Sequence, residues 1–431
     1  MPAPGLPLPE LWEHIIDFVG FPTSWKNVAL VCRAFVPGAQ RNLFRKIAIE
    51  DGRITYYERR AVDCIDRSAI TGAVVAGHLS DLLTTSPHLL KYIHELKIES
   101  GHTKCYTILS SIPWSHLRRV IIKNVSFIPS TARASIEALM RTRSLRDLKI
   151  MDTGGWGVTH EEKMERVRWI VTACCSDLQS LVLSGCGRLD TDSDPSAESA
   201  QGLVDFEASD NVKDRPRLRD LSLVYSKEVT ALLAHAFDLT ALRVIRCERS
   251  WSFDVLPFLQ KFGSSVEHII LSAAEDEIED LDLIKTFPAL TVITSTSLPR
   301  APREQEKYDP STGEWGVETI PDRPAMFNTM LRRLPKDNRI SRIVFSTNAT
   351  YFGSYYKPLF QKHLEEFEEI ALTHLPALQK VEVEADPSDR IDKLVQFSWP
   401  YGTVAPWVQN AFPRLHERNL LSIHLAYRND D

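Results

Sequence analysis

The stretch from residue 218 to residue 295 reads LRDLSL (218–223), LRVIRC (242–247), VEHIIL (266–271) and LTVITS (290–295), with successive starts 24 residues apart. Each copy has apolar residues at its first, fourth and sixth positions, except that Ser295 takes the last place. The second half of the phrase alternates as a β-strand does, which sends every second side chain toward a core. A strand that recurs at this interval indicates a repeat array.

Further copies of the phrase extend the array in both directions. Clear copies are Ile93/Leu96/Ile98, Leu117/Val120/Ile122, Leu145/Leu148/Ile150 and Leu178/Leu181/Leu183. Weaker copies are Ile340/Ile343/Phe345, Leu378/Val381/Val383 and Leu420/Ile423/Leu425, and Phe44/Ile47/Ile49 is a candidate first copy. Between the copies, residues 226–238 and 252–263 carry helical spacing.

This period and phrase resemble those of leucine-rich repeats, which have one strand and one helix or 3₁₀ turn per repeat. The sequence therefore predicts an α/β fold, an irregular solenoid whose strands form a parallel, curved sheet. The asparagine or cysteine that often follows the strand in that family is mostly missing, although Cys186 fits one position. A non-repeat α/β domain is the alternative.

Two long gaps interrupt the array, near residues 184–217 and 297–325. The first is acidic, polar and rich in turn formers, which predicts an exposed loop. The second contains five prolines, which exclude a long helix or a central strand. Each gap is interpreted either as an insertion on the binding face of the array or as a solvated linker, the second interpretation being slightly favoured.

The first fifty residues predict three short helices. A helix over residues 8–19 would carry two apolar stripes, one through Leu11 and Ile15 and the other through Trp12 and Ile16. Such a helix is buried on two sides within its own domain, or it keeps one stripe for a partner. A second helix fits residues 24–36 and ends at Pro37-Gly38, and a third fits residues 39–46.

This amino-terminal pattern resembles the F-box, the helical segment that docks onto the Skp-type adaptor of SCF ubiquitin ligases. Leu8-Pro9-x-Leu11 is followed by Ile15-Ile16 and by Leu30-Val31-Cys32-Arg33-x-Phe35. The resemblance implies that the adaptor is contacted by Leu8, Pro9, Leu11, Ile15, Ile16, Leu30, Val31 and Cys32. It divides the chain into an F-box at residues 1–46 and a repeat domain at residues 47–431. The alternative is a helical cap over the first repeat.

Composition and motifs narrow the function classes. The net charge of −6 gives no reason to prefer a nucleic-acid partner over a protein. No apolar run is long enough to cross a membrane, the amino terminus lacks a signal-peptide pattern, and the seven cysteines form no CxxC pair. We therefore expect a cytoplasmic or nuclear protein. No catalytic, phosphate-binding or metal-binding motif is present, so neither a cofactor nor an enzymatic activity is predicted.

The F-box resemblance and the repeats together imply a non-catalytic substrate receptor of an SCF-type, cullin-containing ubiquitin ligase. The repeats would hold a protein target on the outward positions of their strands. Candidate target-binding residues are Lys149, Ser222, Arg246, Glu248, His268 and Thr294. The alternatives are a repeat scaffold without a ligase role and, more distantly, an enzyme whose site is assembled from the insertions.

Overall fold

A computed structural model of the chain describes residues 36–50, 72–125, 128–151, 159–184, 215–223, 227–247, 256–271, 283–295, 304–309, 314–319, 323–348, 358–386 and 404–425. Two compact units are present. The first comprises the described residues of Met1–Leu218 and Ala231–Asp238, and the second those of Arg219–Thr230 and Leu239–Asp431. None of the described helices combines the length and the apolar character needed to cross a membrane.

The first unit alternates helices with strands. Its elements are α1 (Val36–Phe44), β1 (Lys46–Glu50), α2 (Gly72–Thr85), β2 (Glu95–Glu99), α3 (Thr103–Ser111), β3 (Arg119–Lys123), α4 (Arg133–Met140), β4 (Asp147–Met151), α5 (His160–Thr172) and β5 (Ser180–Ser184). Turns of 3₁₀ helix lie at Pro87–Tyr92 and Ser130–Ala132. The five strands pair in chain order and are all parallel.

The second unit continues the same alternation. Its elements are β6 (Asp220–Leu223), α6 (Lys227–Ala236, whose last residues belong to the first unit), β7 (Val244–Cys247), α7 (Leu256–Phe262), β8 (His268–Leu271), α8 (Leu283–Thr286), β9 (Val292–Ser295), β10 (Glu304–Asp309), β11 (Glu314–Thr319), α9 (Arg323–Arg332), β12 (Arg342–Asn348), α10 (Pro358–Thr373), β13 (Lys380–Asp386), α11 (Val404–Ala411), α12 (Pro413–Glu417) and β14 (Leu421–Leu425). Its parallel strands run in the order β6-β7-β8-β9-β12-β13-β14, and β10 pairs with β11 in a separate antiparallel hairpin.

Each of the twelve copies of the sequence phrase coincides with a parallel strand. Residues at equivalent phrase positions lie level with one another, as Val120, Leu148 and Leu181 do in the first unit. Ile245 and Ile269 are level in the same way in the second unit. All five side chains are buried. The predicted α/β class and the parallel sheet are therefore confirmed.

One recurring backbone contact fixes the register between copies. The carbonyl that follows the first apolar residue of a copy accepts hydrogen bonds from two consecutive amides of the next copy. Arg118 O, for example, accepts from the amides of Arg146 and Asp147 at 2.7 and 2.9 Å. In the second unit Arg243 O accepts from Glu267 and His268 at 2.9 and 3.0 Å. The same contact recurs at Arg45, His94, Arg146, Arg219, Glu267, Thr291 and Ser341.

The helices between the strands largely follow the sequence. Residues 226–238 contain α6, and residues 252–263 contain α7. The helices predicted over residues 8–19 and 24–36 lie outside the described residues, except for Val36. Here α1 begins at Val36, earlier than the helix expected over residues 39–46, because Pro37 occupies its first turn, where the missing N–H costs nothing.

The structure describes much more of the second predicted insertion than of the first. The span 297–325 was predicted to be either a binding insertion or, preferentially, a solvated linker. Within it, β10 and β11 form an antiparallel hairpin of six residue pairs, and both interpretations of the span stay predictions. The prolines were expected to exclude a central strand from this span. Its two described strands, β10 and β11, form a separate two-stranded sheet, so neither is a central strand of the parallel sheet. Of the span 184–217, residues 185–214 lie outside the described residues.

Candidate binding surface

The outward face of each unit consists of the strand residues that alternate with the buried apolar ones. In the second unit this face includes Ser222, Arg246, His268, Thr294 and Arg342, one residue from each of five neighbouring strands. Ser222 is level with Arg246, whereas His268 is level with Val292 and Arg342. We call these five outward residues the Arg246–Arg342 site.

His268 lies at the centre of the site. Its Nε2 is 2.8 Å from Thr294 Oγ1 on the neighbouring strand, and either atom can donate, depending on the tautomer of the ring. Burial, and after it the positive charges of Arg342 and Arg246, together lower the pKa of His268 to about 4. The ring is therefore neutral at physiological pH. Burial and both of these positive charges disfavour the protonated ring.

Glu382 on β13 supports one side of the site. Its side chain is only 4% exposed, and it accepts hydrogen bonds from Arg342, one of them from Nε at 2.8 Å. Lys380 also pairs with this carboxylate, and His424 Nε2 lies 3.9 Å from it. Burial alone would raise the pKa of Glu382, but the hydrogen bonds from Lys380 and Arg342 outweigh burial and hold the pKa below its usual value. Glu382 thereby fixes Arg342 on the strand next to β9, level with Val292, which separates it from His268.

Ser222 carries an unsatisfied hydroxyl. The residue is 4% exposed, and its Oγ has no hydrogen-bond partner. A buried polar atom without a partner costs roughly 1–3 kcal/mol, so native proteins seldom keep one. This hydroxyl belongs to the residue level with Arg246.

The outward positions of the described strands of the second unit carry both signs of charge. The basic ones are Arg246, Arg342 and Lys380, and the acidic ones are Asp220, Glu382, Glu384 and Asp386. Neither Asp220 nor a glutamate contributes to the lowered pKa of His268.

The outward face of the first unit differs, because its charges are paired directly. Lys97 Nζ lies 2.6 Å from Glu50 Oε1. Arg119 lies between Glu95 and Asp147, at 3.5 and 3.7 Å. Burial lowers the pKa of Lys97, but the hydrogen bond to Glu50 and other contacts outweigh it, so the pKa is raised overall. Lys123 lies near Lys97, and burial together with the charge of Lys97 lowers the pKa of Lys123.

The predicted site residues fall into three groups. The adaptor-contacting set, from Leu8 to Cys32, lies outside the described residues, and so does Glu248. Lys149 lies on β4 in the first unit, level with Val182. The second unit holds the remaining four on adjacent strands: Ser222, Arg246, His268 and Thr294.

Sequence reasoning missed three residues of this surface, namely Arg342, Lys380 and Glu382. Their signal was present, because they occupy the outward positions of the two weaker copies that begin at Ile340 and Leu378. The same alternation that selected Arg246 selects them. What the sequence lacks is the information that β12 pairs with β9.

The neighbouring thiols of Cys174 and Cys175 both make hydrogen bonds to backbone carbonyls. The thiols of Cys174 and Cys175 donate to Ile170 O at 3.4 Å and to Leu145 O at 3.3 Å. Burial raises the pKa of both thiols, which suppresses the nucleophilic thiolate form. In the described part of the chain, no group of three or more His, Cys, Asp or Glu side chains could hold a metal ion.

Comparison with protein-family models finds none that matches the chain, and comparison with curated proteins finds no significant match.

Proposed function

We propose that this chain is a non-catalytic substrate receptor of an SCF-type ubiquitin ligase, acting in the cytoplasm or nucleus. The observation that carries the proposal is the repeated strand–helix alternation that follows an F-box-like sequence at residues 8–35. Repeats of the leucine-rich kind expose a row of outward strand positions that suits a polypeptide. Catalysis would then be proximity: the receptor holds the target near the ubiquitin-charged enzyme, and no active site of its own is required.

Each half of the chain has a separate role in this proposal. The helix over residues 8–19 has more apolar surface than one packing face requires, which supports docking onto a Skp-type adaptor and, through it, onto a cullin. The outward faces of the strands would bind the protein target, with Arg246 and His268 in the second unit and Lys149 in the first.

Co-expression with a Skp-type adaptor tests the ligase role. We expect the adaptor to be retained on the tagged full-length chain and to be lost when Leu8→Ala is combined with Pro9→Ala. A matched control combines Val74→Ala with Leu82→Ala, since these are exposed large apolar residues of α2. Retention of the adaptor by the Leu8/Pro9 variant, or no retention by the wild type, would show that residues 1–46 are not an F-box.

A repeat scaffold without a ligase role is the second candidate. Terminal repeats need a cover over their exposed core, and α1 contacts β1 and the 3₁₀ turn at Pro87–Tyr92, as a cap would. In that case truncation of residues 1–35 should leave adaptor binding absent in both forms and should change only stability.

A further inference from the structure

Two lysine side chains meet on the outward face of the first unit. Lys97 is on β2 and Lys123 ends β3, and a hydrogen bond joins their amino groups. An ammonium group has three donors and no acceptor, so two ammonium groups cannot make this bond with each other. The lysine that accepts the bond is therefore in its neutral, amine form.

The acidic neighbours decide which lysine keeps its proton. Lys97 Nζ lies 2.6 Å from Glu50 Oε1, and this contact holds the ammonium form of Lys97. Burial, and after it the hydrogen bond and the charge of Lys97, lower the pKa of Lys123, while Glu99 and Glu50 oppose this through their charges. Glu99 is itself engaged by the side-chain amide of Asn124, at 2.8 Å. Lys123 is therefore the lysine that gives up its proton more readily.

We propose that Lys123 is a covalent modification site, at which its amine accepts an acyl group from a thioester. This inference goes beyond the proposed function and does not depend on it. Lysine is a weak nucleophile at neutral pH because it is protonated, and burial or a neighbouring cation activates it by favouring the amine. Both features act on Lys123, and the residue is partly exposed, so a small acyl donor can reach it.

The reaction balances without any further reagent. The Lys123 nitrogen attacks the carbonyl carbon of the thioester and forms the N–C bond, and the C–S bond then breaks. The nitrogen loses one proton and the leaving sulfur gains one, so the products are an amide and a thiol. When the Lys123 lone pair turns to the carbonyl carbon, the Lys97 ammonium is released to donate to the carbonyl oxygen, where negative charge develops.

An acyl group is favoured over an aldehyde by the charge of the product. The protonated imine that an aldehyde forms on lysine is positive and would stay beside the Lys97 ammonium. An amide is neutral, so acylation removes the repulsion between Lys97 and Lys123. The ion pair between Lys97 and Glu50 remains in place.

The test exposes the full-length chain to acetyl-coenzyme A, an acetyl thioester, and follows acetylation of each lysine by peptide mass spectrometry. We expect Lys123 to be acetylated several times faster than Lys104, an exposed lysine of α3. Lys97→Met removes the neighbouring charge and donor but keeps an unbranched side chain, so it should slow acetylation of Lys123 severalfold. Lys97→Arg is the matched control, because it keeps both the charge and a donor and should keep most of the advantage. Acetylation of Lys104 should be the same in all three proteins.

The dependence of the rate on pH needs no variant and supplies an independent measurement. Acetylation of Lys123 should reach half of its maximum rate at a lower pH than that of Lys104, because its pKa is lowered by burial and by Lys97. The proposal would be overturned by equal rates at Lys123 and Lys104, by coincident pH profiles, or by an unchanged Lys123 rate in a folded Lys97→Met variant. Reductive alkylation with acetaldehyde tests the acyl assignment. A greater preference for Lys123 over Lys104 with the aldehyde than with the thioester would overturn it.

Discussion

At the residue scale, His268 is the most informative side chain of the second unit. Its pKa of about 4 lies below the value of 6.5 for an unperturbed histidine. Protonation is therefore easier in the unfolded chain, and this residue makes the protein lose stability as the pH falls from 6.5 toward 4. Stability above pH 6.5 is unaffected by it, since the ring is neutral in both states.

Substitution of Arg246 by Gln should raise the pKa of His268. The variant removes one of the two positive charges near the ring but leaves burial, the largest cause, in place, so the pKa should stay below 6.5. The measurement is a pH titration of the His268 ring signals by NMR, with Arg333→Gln as the matched control. A pKa that does not move would mean that the Arg246 guanidinium does not act on the ring.

At the element scale, the turn after α7 depends on Gly263. A Cβ built on this residue would lie 2.5 Å from Thr286 O and 2.8 Å from the Phe287 ring. The clash with a backbone carbonyl cannot be relieved by a side-chain rotation, so the turn or the end of α8 must shift. This close approach brings the end of α7 against the end of α8 and helps to set the spacing between the two copies that begin at Val266 and Leu290.

We expect Gly263→Ala to lower the free energy of unfolding by about 1–3 kcal/mol, the usual cost of overpacking. Gly77→Ala in α2 is the matched control, because no atom lies within 4 Å of the Cβ that it would add. That control should stabilise the chain by about 0.5–1 kcal/mol through helix propensity. Thermal and urea unfolding of both variants check the prediction, and equal changes in the two would contradict it.

Elements differ in how well the sequence predicts them. The strands were predicted because each copy carries its own local signal. Apolar residues that are buried in the structure, such as Leu221 and Ile245, alternate with outward ones. The hairpin of β10 and β11 was missed because Glu304–Asp309 is almost entirely polar, and in Glu314–Thr319 the alternation is limited to Trp315 and Val317. Prolines correctly excluded a central strand there but gave no positive signal for a hairpin.

At the scale of the whole molecule, the sequence predicts only part of the candidate site. Alternation within a strand places Arg246 and His268 on the outward face, and that much is local. The electrostatic effect of Arg342 on His268 depends on β12 pairing with β9, although 46 residues of chain, the hairpin among them, separate Ser295 from Arg342. No local pattern encodes such an exclusion, so the charge environment of His268 emerged only from the topology.

The repeat makes a prediction for both units. The same substitution at equivalent positions of two copies should lower the free energy of unfolding by similar amounts. Leu148 in the first unit and Leu221 in the second hold the same place in their copies, and both are at most 2% exposed. Substitution of either by Ala removes the same buried methyl groups, so each should cost about 2–5 kcal/mol of unfolding free energy. Ser180→Ala, at an outward position level with Asp147, should change it by less than about 0.5 kcal/mol.

Amide hydrogen exchange, measured separately for each strand, tests this prediction. Local destabilisation in a repeat array is greatest in the altered repeat and its neighbours. Leu148→Ala should speed exchange first in β3, β4 and β5, and Leu221→Ala first in β6 and β7, because these are the strands bonded through the recurring carbonyl contacts. A cost below about 1 kcal/mol at Leu221 alone would mean that the two copies are equivalent in sequence but not in packing. The second unit would then have a core organised around other residues, such as the Phe345, Phe367 and Phe412 rings.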